Sequence, residues 1–306
     1  MKPVRKLNDL VKVAVDRGRK KTAIACAEDI NTLQAVAEAL KIGLIYPVMI
    51  GNSEKITELC KEYGINTDEI EIIDEKNDEK AAVKAVELVK NGDADILMKG
   101  LVGTDKFLRA VLDKKKGLLP KGNVMSYVCA LEIPKYDKLL FISDPAVIPF
   151  PDLKQKISMV NYAVNMALKF GIETPKVSLV NASEKVSANQ ENTLDDAVIC
   201  KMADRGQIKN CLIDGPLDLF LSCDPESVKI KKTDTPINGE ADILIFPSIE
   251  ACNSFYKGLM LFAGGELAGL IQGTEKPVVV MSRSESPASK LYCIALAVLM
   301  ANPGGE

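Results

Sequence analysis

The 306-residue sequence contains no histidine. This absence excludes Ser-His-Asp and Cys-His activation of a nucleophile, and it excludes every histidine-ligated metal site. The eight cysteines include no CxxC pair, and their spacing matches neither a zinc site nor an obvious disulfide framework. We therefore expect reduced, mostly buried thiols, no metal, and catalysis by carboxylates, hydroxyls, lysine, arginine and backbone amides.

The sequence also has little excess charge and no long apolar run. Its formal net charge is −3 and its pI is near 5.4, whereas binding a phosphate backbone needs a lysine or arginine for each neutralised phosphate. The longest apolar stretch, residues 291–301, is about half of the roughly 20 residues that span a bilayer, so it predicts a buried helix. Asn8, Asp9 and Lys12 interrupt the apolar residues near the start, so no export signal is predicted. We expect a cytoplasmic protein that binds neither nucleic acid nor a membrane.

Short runs rich in Val and Ile alternate with segments of helical period along the chain. This alternation predicts βαβ units and a mostly parallel sheet, and 306 residues allow two domains or one large α/β domain. The predicted strands of the first half are residues 22–27, 46–51, 69–74 and 95–100, and its predicted helices lie near 31–41, 53–63, 78–90 and 104–112.

A predicted hairpin follows the first half. Residues 124–133 and 138–143 are apolar runs separated by a turn whose length suits antiparallel strands, and we expect this hairpin to be a domain junction. After it, a helix is predicted from Pro151 to Gly171. Later strands are predicted at residues 176–181, 211–215, 241–246, 267–273 and 277–282.

Residues 277–300 predict a strand, a turn and a helix. Ser286 is a natural N-cap and Pro287 a natural first helical residue, so the following amides are unpaired and point back toward the turn. Arg283 lies between strand and helix, where its guanidinium would hold a phosphate beside those amides and the helix dipole. The alternative is that Arg283 is a surface side chain on an ordinary loop.

A second segment, residues 97–112, leads from a strand into Gly100, Gly103 and Thr104 before a helix. Flexible backbone there would let the chain approach a phosphate, although ordinary turn glycines explain the pattern equally well. The segment lacks the Walker A spacing, and no two glycines in the chain have the GxG spacing of a dinucleotide site.

A third segment, residues 249–259, follows the predicted strand at 241–246. Glu250, Asn253 and Lys257 are three and four residues apart, so on a helix they share one face. That face would line a cleft, or it would be an ordinary solvated helix surface.

Seven segments, taken together, resemble the phosphate butyryltransferases of the phosphate acetyl/butyryltransferase family. They are MKGLVGTDKFLRAVL, ALEIPKYDKLLFISD, GIETPKV, KMADRGQIK, DGPL, ADILIFPSIEACNSFYKGL and PVVVMSRSESPASKLYCIALA. The likeness keeps the same order from about residue 20 to residue 300.

The resemblance implies two α/β domains with mostly parallel sheets and an interdomain cleft that holds the active site, as in the isocitrate-dehydrogenase-like superfamily. With the hairpin as junction, we expect residues 1–138 and 286–306 in the first domain and residues 139–285 in the second. The resemblance also implies transfer of a short acyl group, butyryl or similar, between coenzyme A and phosphate, with acyl phosphate as the other product. Coenzyme A is then a substrate, no cofactor is permanently bound, and the protein is a homodimer or higher oligomer.

The resemblance assigns roles to particular residues. Ser282 corresponds to a serine that contacts the coenzyme A thiol, and Arg283 to an arginine that contacts the phosphate, so we expect both to be catalytic. The residues expected to bind substrate are Lys99, Gly100, Thr104, Asn253, Lys257 and Ser286.

The sequence departs from the family at several polar positions. The general base of the acetyltransferases, an aspartate seven residues after the serine, corresponds to Ser289 here, as it does to a serine in the butyryltransferases, so the base is not identified. Tyr127 stands where butyryltransferases tend to have a histidine, Ile148 replaces an asparagine, and Phe220 replaces the second acid of DGPLxxD. Residues 186–192 also lack the usual NPKMP-like phrase.

These departures leave other functions open. One alternative is a phosphate acetyltransferase, and another is a divergent paralogue that binds acyl phosphate or coenzyme A with altered or no catalysis. A metal-dependent dehydrogenase of the same fold would need clustered aspartate ligands and a nicotinamide site, which the sequence does not show.

Overall fold

The computed structural model describes residues 2–282 and 285–301. These residues form two compact units. The first unit contains residues 7–125 and the described residues from 267 onward, and the second contains residues 2–6 and 126–266.

The first unit is a mostly parallel sheet with helices between its strands. Its strands are β1 (Lys20–Ala25), β2 (Ile45–Gly51), β3 (Glu71–Asp74), β4 (Ile96–Lys99), β10 (Glu266–Gln272) and β11 (Val278–Val279). Its helices are α1 (Leu7–Asp16), α2 (Ile30–Lys41), α3 (Ser53–Glu62), α4 (Asp78–Lys90), α5 (Thr104–Val111) and α11 (Pro287–Met300). The strand order is β3-β2-β1-β4-β11-β10, and β10 alone runs antiparallel to its neighbour β11.

Local sequence signals account for the helix starts of this unit. The side chains of Asp29, Asn52 and Asn77 cap α2, α3 and α4 by accepting a hydrogen bond from the amide three residues on, at 3.0, 3.1 and 3.0 Å. Each cap satisfies an amide that has no partner within its helix. Ser286 caps α11 and Pro287 is its first residue, which confirms the prediction for this helix.

The second unit combines an antiparallel hairpin with a parallel sheet. Its strands are β5 (Ser126–Glu132), β6 (Leu140–Ser143), β7 (Lys176–Val180), β8 (Leu212–Leu217) and β9 (Ile243–Ile245). Its helices are α6 (Leu153–Lys169), α7 (Glu191–Asp204), α8 (Leu219–Cys223), α9 (Pro225–Lys231) and α10 (Ile249–Ala263). The strand order is β5-β6-β9-β7-β8, and the antiparallel pairing of β5 with β6 confirms the predicted hairpin.

The unit boundaries differ from the predicted domain boundaries at 138 and 285. Residues 126–138 belong to the second unit because β5 pairs with β6, with Cys129 opposite Ile142. Residues from 267 onward belong to the first unit because β11 pairs with β4, with Val279 opposite Met98.

A buried charge network joins α6 to α7 in the second unit. The Lys156 ammonium lies 3.1 Å from an Asp195 carboxylate oxygen and 3.7 Å from one of Asp196, and its side chain is almost fully buried. The Asn181 amide donates to Asp196 at 3.2 Å. Burial raises the pKa of Asp196 to about 6, and the attraction of Lys156 opposes that rise. Removing Lys156 alone would leave uncompensated buried charge, which typically costs about 3–5 kcal/mol.

The apolar stretch at residues 291–301 forms most of α11, and residues 293–299 are buried, as predicted. No helix in the described part of the chain is both long enough and apolar enough to cross a membrane.

Candidate functional site

Three parallel strands of the first unit end at one edge of its sheet. Ala25 at the end of β1 is paired with Lys99 at the end of β4, and β11 runs parallel to β4 on its other side. Ligands of open α/β sheets bind outside the carboxyl ends of the strands. The loops that follow β1, β4 and β11 begin at this edge, so Lys99, Gly100 and Ser282 lie at the same edge of the sheet.

Gly100 passes close to the end of β1. Its amide donates to the Ala25 carbonyl at 2.8 Å, and a Cβ added to it would lie only 2.2 Å from the Cys26 carbonyl oxygen. Carbon and oxygen atoms that are not bonded do not approach so closely, so only glycine fits here. The structure thus supplies a packing reason for Gly100, and its predicted contact with substrate stays a prediction.

The buried Lys99 side chain holds the loop that follows β4. Its ammonium donates to the carbonyl oxygens of Gly100 and Val102, each at 3.0 Å. Thr104 is exposed and is the first residue of α5, whose N-cap Gly103 provides no side-chain hydrogen bond. The first amides of α5 therefore have no side-chain cap, which suits binding of an anion.

The loop from β11 to α11 carries Ser282, which is exposed. Arg283, the predicted phosphate ligand, lies outside the described residues. Beyond it, the Glu285 amide donates to the Ser282 carbonyl at 3.3 Å, and a backbone hydrogen bond from Ser282 reaches the Glu285 carboxyl. Burial raises the pKa of that carboxyl to about 7. Two hydrogen bonds therefore place a proton-binding group beside Ser282.

The start of α11 has two serines with structural roles. The Ser286 hydroxyl accepts from the Ser289 amide at 3.0 Å, which is the predicted cap. Ser289, which by resemblance corresponds to the general base of the acetyltransferases, is buried, and its hydroxyl accepts from the Leu267 amide in β10 at 3.0 Å. Ser289 thus joins α11 to the sheet.

The predicted helix at residues 249–259 is part of α10 in the second unit. Glu250 and Lys257 are exposed on it. The Asn253 amide donates to the Pro145 carbonyl at 2.8 Å and so fixes the loop that follows β6. Contact of Asn253 and Lys257 with substrate stays a prediction.

Asp144 organises the same loop. Its buried carboxylate accepts hydrogen bonds from the Ser126 hydroxyl and the Tyr127 amide, at 2.8 and 3.0 Å, and from the amides of Ala146 and Val147, both at 2.9 Å. Burial raises the pKa of Asp144, and these four hydrogen bonds oppose the rise.

The three departures from the family pattern differ in exposure. Tyr127 and Ile148 are buried, whereas Phe220 is exposed on α8. Tyr127 belongs to β5, and Ile148 lies in the loop between β6 and α6.

No group of three or more His, Cys, Asp or Glu within residues 2–282 and 285–301 could hold a metal ion.

Comparison with known proteins identifies the family. A profile described as "Phosphate acetyl/butaryl transferase" matches residues 6–83 and 75–298. The chain belongs to this family. It is 41% identical over 298 residues to a phosphate butyryltransferase from Clostridium acetobutylicum, covering 97% of this chain and 99% of that protein. It is 40% identical over 295 residues to a phosphate acetyltransferase from Thermotoga maritima, covering 96% and 99% of the two chains.

Solved structures agree with this membership of the phosphate acetyl/butaryl transferase family. A branched-chain phosphotransacylase from Enterococcus faecalis V583 superimposes with a TM-score of 0.81, at 29% identity, covering 92% of this chain and 99% of that one. A 4-hydroxythreonine-4-phosphate dehydrogenase from Salmonella typhimurium, at 11% identity, shares only the fold, with a TM-score of 0.58 and coverage of 92% and 99%. The predicted α/β fold class and the predicted enzyme class, a phosphate acyltransferase, are confirmed.

Sequence reasoning missed Glu285. Its signal in the sequence is modest, since it is one acid just before a helix cap, three residues after Ser282. Such acids ordinarily complement the helix dipole on the surface. Only the folded structure shows that this one is largely buried and is hydrogen-bonded to Ser282.

Proposed function

We propose that this phosphate acetyl/butaryl transferase family member moves a butyryl or similar short acyl group between coenzyme A and inorganic phosphate, by direct transfer in a ternary complex. The observation that carries the proposal is the β11–α11 loop at the carboxyl edge of the sheet, where Ser282 precedes a serine-capped helix start. Identity of 41% to a phosphate butyryltransferase over nearly the whole chain supports it.

In this proposal Ser282 lies at the coenzyme A thiol and Arg283 holds the phosphate. A guanidinium binds phosphate through two parallel hydrogen bonds, which fixes orientation as well as charge. The tetrahedral transition state carries negative charge on the former carbonyl oxygen and on the phosphate, and donors aimed at those atoms stabilise it. Holding the thiol and the acyl phosphate together on the protein makes the bimolecular step effectively unimolecular. No covalent enzyme intermediate and no permanently bound cofactor are needed.

The remaining substrate contacts are assigned by position. Lys99, Gly100 and Thr104 belong to the loop after β4, and Ser286 starts α11, so all four would bind substrate phosphate groups at one sheet edge. Asn253 and Lys257, on α10 of the second unit, are proposed to contact the rest of the substrate.

The proposal includes a preference of the enzyme for butyryl over acetyl groups. This preference is proposed because the chain is 41% identical over 298 residues to a phosphate butyryltransferase. Each buried methylene is worth about 0.8 kcal/mol. A phosphate acetyltransferase is the second candidate, because the Thermotoga maritima relative is 40% identical.

The proposal is tested by following thiol release from acetyl-, propionyl-, butyryl- and isobutyryl-coenzyme A in the presence of phosphate. We expect kcat/KM for butyryl-coenzyme A to exceed that for acetyl-coenzyme A by about four- to fifteenfold, which corresponds to burial of one or both of its additional methylenes. A clear preference for acetyl-coenzyme A would support the second candidate. Folded protein that releases thiol from none of the four would be a binding paralogue.

The role of Arg283 is tested separately with Arg283→Ala and Arg283→Lys. Arg283→Ala should lose charge-assisted hydrogen bonds worth about 1.5–3 kcal/mol. The affinity for phosphate should therefore fall by roughly ten- to hundredfold. Arg283→Lys should also be impaired, because lysine keeps the charge and loses the planar fork. Arg17→Ala removes an exposed arginine of the same unit and serves as the control. Unchanged phosphate dependence in Arg283→Ala would place the phosphate elsewhere.

The proposal includes a homodimer or higher oligomer in the cytoplasm. Helix α10 is rich in apolar residues, and within this chain it buries only Cys252. An apolar helix surface of this kind is typical of subunit interfaces. All eight cysteines are free, which suits a reducing compartment.

A further inference from the structure

Glu285 has a buried carboxyl oxygen that is still able to accept a proton. Its Oε2 atom is excluded from solvent and makes no hydrogen bond to any group in residues 2–282 or 285–301. Buried polar atoms of folded proteins almost always have a partner, so an exception needs an explanation. An empty acceptor position beside a substrate site is one such explanation.

The backbone places this carboxyl next to Ser282. The Glu285 amide donates to the Ser282 carbonyl at 3.3 Å, and a backbone hydrogen bond from Ser282 returns to the carboxyl. Ser282, which is proposed to contact the coenzyme A thiol, is thus connected to the Glu285 carboxyl within one tight turn. A group that takes a proton must lie within hydrogen-bond reach of it.

The surroundings of the carboxyl bring its titration close to pH 7. Burial raises the pKa of Glu285 to about 7, while the Ser282 hydrogen bond and the positive charge of Lys290 act in the opposite direction. Among the described residues, the buried Cys293 on α11 also interacts electrostatically with Glu285. Burial and the nearby Glu285 carboxylate raise the pKa of the Cys293 thiol, so it stays neutral.

Two other candidates for the base, Ser289 and Glu28, have structural roles instead. Ser289, at the family position, is engaged with Leu267 and has a hydroxyl that does not ionise near neutral pH. Glu28 also has a solvent-excluded Oε2 without a partner in the described residues, but its other oxygen accepts from the Asn52 amide at 2.5 Å. Its carboxyl carbon fills the space beside Gly51, where an added Cβ would lie 2.6 Å away. Glu28 therefore joins the ends of β1 and β2.

We propose that Glu285 is the general base that accepts the proton of the coenzyme A thiol held at Ser282. This inference rests on the proposed acyl transfer. In the direction from acyl phosphate, the S–H proton moves to the Glu285 carboxylate, and the thiolate forms a bond to the acyl carbon. The C–O bond to phosphate then breaks, and its electron pair leaves with the phosphate. In reverse, protonated Glu285 returns the proton to the departing thiolate.

The test compares wild type with Glu285→Gln in the acyl phosphate plus coenzyme A direction, with kcat/KM measured from pH 5.5 to pH 9.5. Wild-type kcat/KM should rise about tenfold per pH unit below pH 7 and level off above it. Glu285→Gln should lose about a hundredfold or more at pH 7 and lack this inflection. Its deficit should shrink toward pH 9.5, because a free thiol with a pKa near 8.5 then ionises unaided.

Two further variants separate catalysis from structure. Glu285→Asp keeps a carboxylate and should retain the inflection with a rate about tenfold or more below wild type, because small misplacements of catalytic groups are costly. Glu275→Gln is the matched control: it removes an exposed carboxylate from the β10–β11 turn of the same unit, where Glu275 pairs with Lys90 at 2.7 Å. It should behave as wild type. Coenzyme A binding by Glu285→Gln, measured calorimetrically, should change less than threefold.

Each outcome decides the proposal. Wild-type rate and pH profile in folded Glu285→Gln would overturn it. If Glu285→Gln does not fold, the aspartate variant decides, and wild-type rates at every pH in Glu285→Asp would overturn it. Absence of acyl transfer in the wild type itself would instead refute the proposed function.

Discussion

At the scale of single residues, the buried Glu285 carboxyl makes stability depend on pH. An ordinary glutamate ionises near 4.5, whereas burial raises the pKa of Glu285 to about 7 in the folded state. The folded state therefore binds more protons between these values, so this group's contribution to stability is full below pH 4.5 and is lost as the pH rises through 7. A shift of this size corresponds to at most about 3 kcal/mol.

Glu285→Gln removes this pH-dependent penalty. We expect its free energy of unfolding, relative to wild type, to rise by about 1–3 kcal/mol between pH 4.5 and pH 8. The variant would thus be more stable and less active at pH 8, as expected where an active site holds a strained group. Urea unfolding at both pH values measures this change, with Glu275→Gln as control. Parallel pH curves for Glu285→Gln and wild type would contradict it.

The segment around Glu285 shows which features could be predicted from the sequence and which could not. Ser286 and Pro287 were predictable as the start of α11, because capping depends on a few adjacent residues. The burial of Glu285 depends on packing in the folded chain, which no local pattern encodes. Likewise the sequence places Asn253 on a polar helix face, but only the fold shows its hydrogen bond to Pro145, more than 100 residues earlier.

At the scale of elements, Gly100 limits how the loops after β1 and β4 can pack. Gly100→Ala would place a Cβ 2.2 Å from the Cys26 carbonyl oxygen, so the two loops would have to separate. We expect a loss of about 1–3 kcal/mol in the free energy of unfolding, together with reduced activity. Gly258→Ala in α10 is the matched control, since nothing lies within 4 Å of its added Cβ.

Gly258→Ala should stabilise the protein by up to about 1 kcal/mol, because alanine favours a helix interior more than glycine does. Chemical denaturation of both variants measures the difference. Equal effects of the two substitutions would show that the close approach at Gly100 carries no cost.

The elements themselves were largely predictable from periodicity, because β1 to β4 and α2 to α5 alternate as short apolar runs and amphipathic segments. The grouping of these elements into two units was harder to predict from the sequence. β11 has only two paired residues, Val278 and Val279, and no local signal shows that its partner is β4, about 180 positions earlier.

At the scale of the whole molecule, the apolar surface of α10 leads to a prediction about assembly. Leu261 and Phe262 are 76% and 86% exposed. If this surface pairs with a second copy of the chain, Leu261→Lys combined with Phe262→Glu should dissociate the oligomer, because charges are depleted in interface cores. Light scattering measures the mass in solution.

The control for this double variant is Ile230→Glu on α9, which changes another apolar residue that is 73% exposed. It should leave the mass unchanged. A monomeric wild type, or a double variant with the wild-type mass, would contradict a role for α10 in assembly.

The free cysteines have a consequence for chemical durability. Burial raises the pKa of seven of the eight thiols, namely those of Cys26, Cys60, Cys200, Cys211, Cys223, Cys252 and Cys293. A thiol with a pKa of about 11, such as Cys211, is ionised in roughly one molecule in several thousand at pH 7.5, and only the thiolate reacts quickly. Coenzyme A that has been oxidised to its disulfide exchanges with accessible protein thiolates and would otherwise form mixed disulfides with this protein. Folded protein at pH 7.5 should therefore resist both iodoacetamide and the disulfide of coenzyme A, and rapid mass addition at these seven positions would show that burial does not protect them.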